Sequence, residues 1–264
     1  MNITKTARIF LQFLYRDAYN YRERLLTYFI NYCFIYPTIY TIGIGYIMAT
    51  TYFGPNSAIQ STTLLVGHML IVVFSFAYNL SIGLIFDLEN KRFIDYQITL
   101  LDPRLVIVQR ILFNTIFTCI IALPFFPMAK LILGTMFVTT HASWLATSVI
   151  IFLSALCSAA YTHLTACLMP SSRSLRSFWM RINFVLLLFG GTFIPWQIIK
   201  QFCPPLGYIL LLNPFVYVTE GLRRAMLGTP NFMPVWICAG ALTLFTVLFT
   251  IFTWHYFKKK VDHI

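Results

Sequence analysis

Acidic side chains are scarce in this sequence, which has eight aspartates and glutamates among 264 residues. Seven of the eight lie in or beside basic segments, and Glu220 is the exception. A proton-driven carrier needs ionisable residues inside its membrane segments to relay protons. A membrane hydrolase needs a nucleophile, a base or a metal cluster. The sequence offers neither set, so both classes are disfavoured.

Three familiar patterns are also missing. The six cysteines form no Cys-x-x-Cys pair, so neither a metal site nor a disulfide framework is expected. No Gly-x-x-x-x-Gly-Lys motif occurs, so we expect a non-enzymatic chain that binds no ATP or other cofactor itself. The first 24 residues are charged and rich in tyrosine, unlike a signal peptide. The first apolar block is therefore expected to serve as the targeting signal.

What the sequence has is a regular alternation of basic segments and apolar blocks. The chain is 59% hydrophobic and 10% charged, which indicates an integral membrane protein. Fifteen of its nineteen lysines and arginines lie at residues 5–24, 91–110, 173–181 and 258–260. Because short basic loops stay in the cytoplasm, we expect both termini there and an even number of spans. The positive charge suits lipid headgroups, and we expect no nucleic-acid partner.

The apolar blocks predict an all-α integral membrane protein with six transmembrane helices in a single domain, residues 1–264. Each block is close to the length that a helix needs to cross a bilayer, although the fifth is short. The predicted spans are residues 25–50, 64–86, 107–133, 143–169, 180–196 and 235–257.

Two further segments flank or interrupt these spans. Residues 1–24 predict an interfacial helix at the cytoplasmic surface that meets span one at a sharp angle. Its predicted apolar face consists of Phe10, Phe13, Leu14, Ala18 and Tyr21. Residues 197–234 are too apolar for a free loop and are broken by proline and glycine. They predict a re-entrant pair of short helices in the outer leaflet, between helices five and six.

Three motifs resemble those of the type-2 ATP-binding-cassette (ABC-2) export permeases. Residues 212–228 read LNPFVYVTEGLRRAMLG, residues 190–195 read GGTFIP, and residues 86–104 read FDLENKRFIDYQITLLDPR. Their order and spacing, together with the six spans, extend the resemblance over nearly the whole chain. Asp102 before Pro103 and the second arginine, Arg224, depart from the usual pattern.

The resemblance implies a membrane permease subunit without its own ATPase motif. Its partners would be two copies of an ABC ATPase subunit, which carry ATP and Mg, a second copy of this chain, and membrane lipid. The stretch 87–104 would be a coupling helix that docks on the ATPase. The residues assigned to this contact are Asp87, Glu89, Lys91, Arg92, Asp95, Leu100 and Pro103. The alternative is an ordinary amphipathic loop that rests on headgroups.

Two sets of residues are candidates for the translocation path or its gate. Tyr28, Tyr32, Tyr36 and Tyr40 recur every four residues, which gives a slowly winding stripe on a helix. The stripe either packs against another helix or lines the path. Glu220 can pair with Arg223 or Arg224, either as a structural ion pair or with a spare cation facing the path exit. Asn213, Pro214 and Tyr217 complete the set through the family motif.

The function that these observations predict is an exporter subunit in the bacterial inner membrane, with the path formed by a dimer. Its cargo would be amphiphilic, lipid-linked, glycan or drug-like. An ATP-independent carrier or channel is the alternative.

Overall fold

A computed structural model describes residues 3–54, 57–90 and 92–262. Every regular element in these ranges is helical, which confirms the predicted all-α class. The elements are α-helices Ile3–Phe29, Tyr36–Tyr40, Ala49–Phe53, Ser57–Asn90, Arg92–Leu100, Pro103–Ala122, Phe125–Leu133, Trp144–Leu168, Ser172–Phe178, Phe184–Leu187, Trp196–Phe202, Pro204–Leu210, Pro214–Leu227 and Val235–Asp262; π-helices Ile30–Ile35, Thr41–Met48, Trp179–Asn183 and Leu188–Thr192; and a 3-10 turn at Gly134–Met136.

Within the described residues, five helical segments are long and apolar enough to cross a membrane, and a bent pair would make six. We name them spans one to six in chain order: Leu26–Tyr52, Ser57–Asn90, Pro103–Met136, Trp144–Leu168, Ser172–Thr192 and Val235–Val261. Span five is the bent one, because it meets the helix Trp196–Phe202 at 91°. Its helical run begins at Ser172 rather than at the predicted residue 180, which supplies the length that the apolar block lacks.

Span two is the centre of the bundle. Over an 18-residue apolar stretch of each span, 67% of span two is buried, against 24% of span one and 17% of span six. Span four packs against spans two, three and six. Small residues such as Ala155, Ser158 and Ala159 are fully buried there, which lets helix backbones approach closely. Spans one and six therefore present most of their side chains at the surface of this single chain.

The N-terminal helix (Ile3–Phe29) differs from its prediction in two respects. It runs without a break past residue 24, so the expected sharp angle before span one is absent. Its predicted apolar face also packs on protein rather than on headgroups. Phe13 contacts Phe93 edge-on at 6.2 Å between ring centroids, and Tyr21 lies 5.6 Å from Phe113.

The two ends of the bundle differ in charge. The N-terminal helix, the helix Arg92–Leu100, the start of span five and the end of span six form one end, which we call the basic end. The three helices Trp196–Phe202, Pro204–Leu210 and Pro214–Leu227 form the short-helix segment at the opposite end. The sequence predicted two helices here rather than three. Prolines at 204 and 214 start the second and third helices, since proline suits the first helical turn.

The predicted coupling stretch 87–104 is also divided differently. Asp87 and Glu89 belong to the last turn of span two, which ends at Asn90. A separate helix covers Arg92–Leu100, and Pro103 begins span three. The separate helix within this stretch is therefore shorter than the predicted 87–104.

Candidate functional site

The helix Arg92–Leu100 has one face in the core of the basic end and one face in solvent. Ile94 and Gln97 are fully buried, whereas Asp95 and Tyr96 are exposed. Leu100 is half-buried against the apolar core. Lys91 and the side chain of Arg92 lie outside the described residues. Of the predicted ATPase contacts, Asp95 is the one whose side chain the structure places on the free face of this helix.

Asp87 and Glu89 make contacts within the chain. The Arg110 guanidinium donates to the Asp87 carboxylate at 2.6 Å. Glu89 accepts from the backbone N–H of Ser172 at 2.6 Å, where the helical run of span five begins. A carboxylate is favourable at the amino end of a helix, where backbone N–H groups lack partners. Both acids thus hold spans together, and their predicted contact with an ATPase stays a prediction.

Pro103 begins span three next to a capping residue. The Asp102 carboxylate accepts from the backbone N–H of Arg104 at 2.8 Å, and Pro103 occupies the first turn. An aspartate cap followed by proline is a strong helix start. This explains why an acid at position 102 is compatible with the fold although it departs from the family pattern.

At the opposite end, a buried ion pair joins two of the predicted gate residues. The Arg223 guanidinium and the Glu220 carboxylate lie 3.3 Å apart, and both side chains are 0% exposed. Neither residue therefore faces a path in this structure. This burial favours the structural ion pair, and a role of the two residues in the path or its gate stays a prediction.

The surroundings of this pair explain its position. Arg223 also donates to the carbonyls of Gly191 and Thr192, at 2.5 and 3.4 Å, where the helical run of span five ends. Glu220 accepts at 3.0 Å from the backbone N–H of Trp196, the first residue of the next helix. A cation at a helix carboxyl end and an anion at a helix amino end are both favourable. The pair therefore bridges the two sides of the 91° bend.

Span two is joined to the same bend by very close packing. Arg223 donates to the carbonyl of Thr63 at 3.2 Å. A Cβ atom on Gly67 would lie only 2.0 Å from the Thr192 carbonyl oxygen, so no larger residue fits there. Gly191 has a φ of 84°, which favours glycine because other residues rarely adopt it. Three elements thus meet around one arginine.

Asn213 and Pro214 start the last helix of the short-helix segment. The Asn213 side chain accepts from the backbone N–H of Phe215 at 3.1 Å and donates to the Leu186 carbonyl of span five at 2.7 Å. The Tyr217 hydroxyl donates to the Leu211 carbonyl at 3.0 Å. The Asn-Pro motif is therefore a helix cap that is also bonded to span five.

Arg224, the second arginine of the motif, is half-buried and has no ion pair within the described part of the chain. Lys200 lies over two aromatic rings, 4.9 Å from the Trp196 ring and 5.1 Å from the Tyr208 ring. Both cations are separate from the pair formed by Glu220 and Arg223.

The tyrosine stripe of span one lies mainly against span two. Tyr32 is buried, its ring centroid is 5.1 Å from that of Phe76, and its hydroxyl accepts from the Asn79 amide at 2.7 Å. Tyr28 and Tyr40 are half-buried, and Tyr36 is exposed. The stripe therefore serves helix packing over most of its length, and Tyr36 is the member available to a path.

The sequence analysis did not identify two buried polar residues that connect elements of the basic end. Gln109 and Arg110 are buried at the start of span three, and Arg110 was counted only as one of the loop cations. The signal that could have found them is their position inside an otherwise apolar block, where polar side chains require partners.

Comparison with known families supports a transport role. A family model described as "ABC-2 family transporter protein" matches residues 16–255, which include nearly all of the spans and the whole short-helix segment. No curated protein matches the chain.

Proposed function

The chain belongs to the ABC-2 transporter family and is a membrane permease subunit of an ABC transporter; from this premise we propose that it works as an exporter. Two copies form the path between them. Two separate ATPase subunits, which bind ATP and Mg, drive the transport. The observation that carries the proposal is the family match over residues 16–255.

We propose that the ATPase docks on the exposed face of the helix Arg92–Leu100. Asp95 and Tyr96 on this face supply a charge and an aromatic ring at the surface of the basic end. Aromatic side chains are enriched at protein interfaces, and polar side chains form the rim of such interfaces. The buried face, with Ile94 and Gln97, fixes the helix to the spans so that force applied to it is passed on.

We propose that the path lies between two copies of the chain, along the spans whose side chains are exposed in the single chain. Span one exposes Tyr36 and several large apolar side chains, and span five exposes Phe184, Val185 and Phe189. These surfaces suit an amphiphilic, lipid-linked, glycan or drug-like cargo, because aromatic and apolar walls bind both rings and acyl chains. The short-helix segment is proposed to close the outer end of this path.

We propose that the basic end faces the cytoplasm of a bacterial cell, with both chain termini there. The lysine and arginine clusters at residues 5–24, 91–110, 173–181 and 258–260 all favour this orientation in the inner membrane. The short-helix segment would then reach the outer leaflet, where its polar backbone groups are satisfied by caps and by spans two and five.

The test is to purify the protein gently from its native membrane and to measure what comes with it. We expect a stoichiometric ATPase subunit and ATP hydrolysis that vanadate stops. The variant Asp95→Arg, which reverses charge on the exposed helix face, should weaken this association, whereas Arg181→Gln at an exposed position should not. A stable chain that purifies alone and without ATPase activity would contradict the proposal and favour an ATP-independent carrier or channel.

A further inference from the structure

Two neighbouring residues of span three, Gln109 and Arg110, connect three other elements of the basic end. Both are at most 8% exposed although they begin an apolar span. Gln109 bonds the N-terminal helix, and Arg110 bonds both span two and the helix Arg92–Leu100. Burying such polar groups is costly unless they are hydrogen-bonded. Arrangements that break these hydrogen bonds are therefore strongly disfavoured.

The Arg110 guanidinium bridges two acceptors on different elements. The same nitrogen, Nη2, donates to Asp87 at 2.6 Å and to the Gln97 side-chain oxygen at 2.7 Å. Asp87 lies in the last turn of span two, and Gln97 lies on the buried face of the helix Arg92–Leu100. A single side chain of span three thus connects the proposed docking helix to the central span of the bundle.

The N-terminal helix joins the same cluster from the other side. Gln109 donates to the Asp17 carboxylate at 2.9 Å, and Asp17 also pairs with Arg16 at 3.0 Å. The Arg16 guanidinium lies 3.4 Å from the centroid of the Phe93 ring, a cation–π contact with the docking helix. The N-terminal helix therefore holds the docking helix through Phe93 and span three through Gln109.

We infer that Arg110 is a positioning residue that passes the movement of the docking helix to spans two and three. This inference rests on the proposed function, because it requires an ATPase that moves the helix Arg92–Leu100. When that helix shifts, its hydrogen bond through Gln97 pulls on Arg110, and the ion pair with Asp87 carries the same displacement to span two. Span two then reaches the opposite end at Thr63, beside the bend of span five.

An arginine suits this position better than a lysine. A guanidinium is planar and keeps its donors in a fixed fork, so it can hold two acceptors at a defined angle. A lysine would keep the charge but hold its acceptors through a flexible stem. A glutamine would lose the charge and leave Asp87 without its cation.

The test uses the complete complex of permease and ATPase in nanodiscs. Cys203 in the short-helix segment is exposed, and the other five cysteines are buried or partly buried, so a fluorescent maleimide reports mainly on Cys203. The labelling rate is measured without nucleotide and after trapping with ATP and vanadate. The variants are Arg110→Gln, Arg110→Lys and Asp87→Asn, with Arg173→Gln as the control because Arg173 is exposed at the same end.

We expect trapping to change the labelling rate in the wild type and in Arg173→Gln, and Arg110→Gln to abolish this change while ATP hydrolysis continues. Arg110→Lys should retain part of it. If Arg110→Gln does not assemble, loss of the change in Asp87→Asn supports the same inference. Variants that lower only yield or thermal stability, with a full nucleotide response, would overturn it.

The wild type separates this inference from the proposed function. If the ATPase copurifies but trapping leaves the Cys203 labelling rate unchanged, the inference fails and the proposed function stands. If no ATPase copurifies, the proposed function fails first and the inference fails with it.

Discussion

The most consequential single residue at the opposite end is Arg223, because its charge lies where no water reaches. Its guanidinium donates to the carbonyl oxygens of Gly191 and Thr63 and to the Glu220 carboxylate. The second carboxylate oxygen of Glu220 is buried without a partner within the described residues. Neither member of the pair has a second ion-pair partner within the described residues. Loss of one member therefore leaves the charge of the other uncompensated.

Replacing either member should therefore destabilise the fold. We expect Arg223→Gln and Glu220→Gln each to cost about 3–5 kcal/mol, the usual penalty for breaking a buried pair. The double variant should cost less than the sum of the two, since neither charge is then left alone. The measurement is the midpoint of thermal unfolding in detergent, with Arg224→Gln as the control. Full stability together with altered transport would instead place the pair in the cargo path.

At the scale of elements, the short helices are held by their ends. Seven-residue helices such as Trp196–Phe202 and Pro204–Leu210 are too short to be stable alone in water. The Trp196 indole donates to the Gly207 carbonyl at 2.7 Å and joins the two. The third helix depends on Asn213, which caps it and bonds span five.

The two roles of Asn213 can be separated. Asn213→Asp keeps the capping oxygen but cannot donate to the Leu186 carbonyl, whereas Asn213→Ala loses both contacts. We expect the alanine variant to lower stability by more than the roughly 1 kcal/mol of a lost cap, with the aspartate variant in between. Asp102→Ala is the matched control, because the structure shows only the capping bond for Asp102. Equal unfolding midpoints for Asn213→Ala and Asp102→Ala would argue against the bond to span five.

The π-helical segment of span one helps to keep the tyrosine stripe on one side of the helix. On a regular α-helix, residues four apart advance by somewhat more than one turn, so the tyrosine stripe should wind. A π-helix has more residues per turn because its hydrogen bonds reach one residue further. The π segment Ile30–Ile35 therefore offsets part of the winding, and successive rings stay in contact from Tyr28 to Tyr40.

At the scale of the whole molecule, charge and apolar surface divide the bundle into two ends. The basic end holds an interlinked set of ion pairs and cation–π contacts. There, burial raises the pKa of Tyr21 to about 12, so its hydroxyl stays protonated beside the Leu80 carbonyl. The opposite end has a single buried pair within the described residues.

This polarity predicts the orientation in the membrane. A membrane-impermeant maleimide added to intact spheroplasts should label Cys203, because the short-helix segment is proposed to lie at the outer surface. The variant Cys203→Ser should remove the signal, since the other cysteines are less accessible. Labelling that appears only after the membrane is permeabilised would show the reverse orientation.

The sequence alone determined the class of this protein and the order of its parts. Long apolar blocks can fold in lipid only as helices, because every backbone polar group must be satisfied internally. The spacing of those blocks and the family motifs therefore followed from the residues. The match over residues 16–255 confirms the family that these motifs indicated.

Tertiary structure decided which charges face partners and which face each other. The fold brings Arg110, which is 23 residues away in the sequence, to Asp87, and the sequence did not predict this ion pair. Arg223 bonds Thr63 across 160 residues. No local sequence pattern shows which residues will bond across such long sequence separations. A buried charge is stable only where distant elements supply its partners.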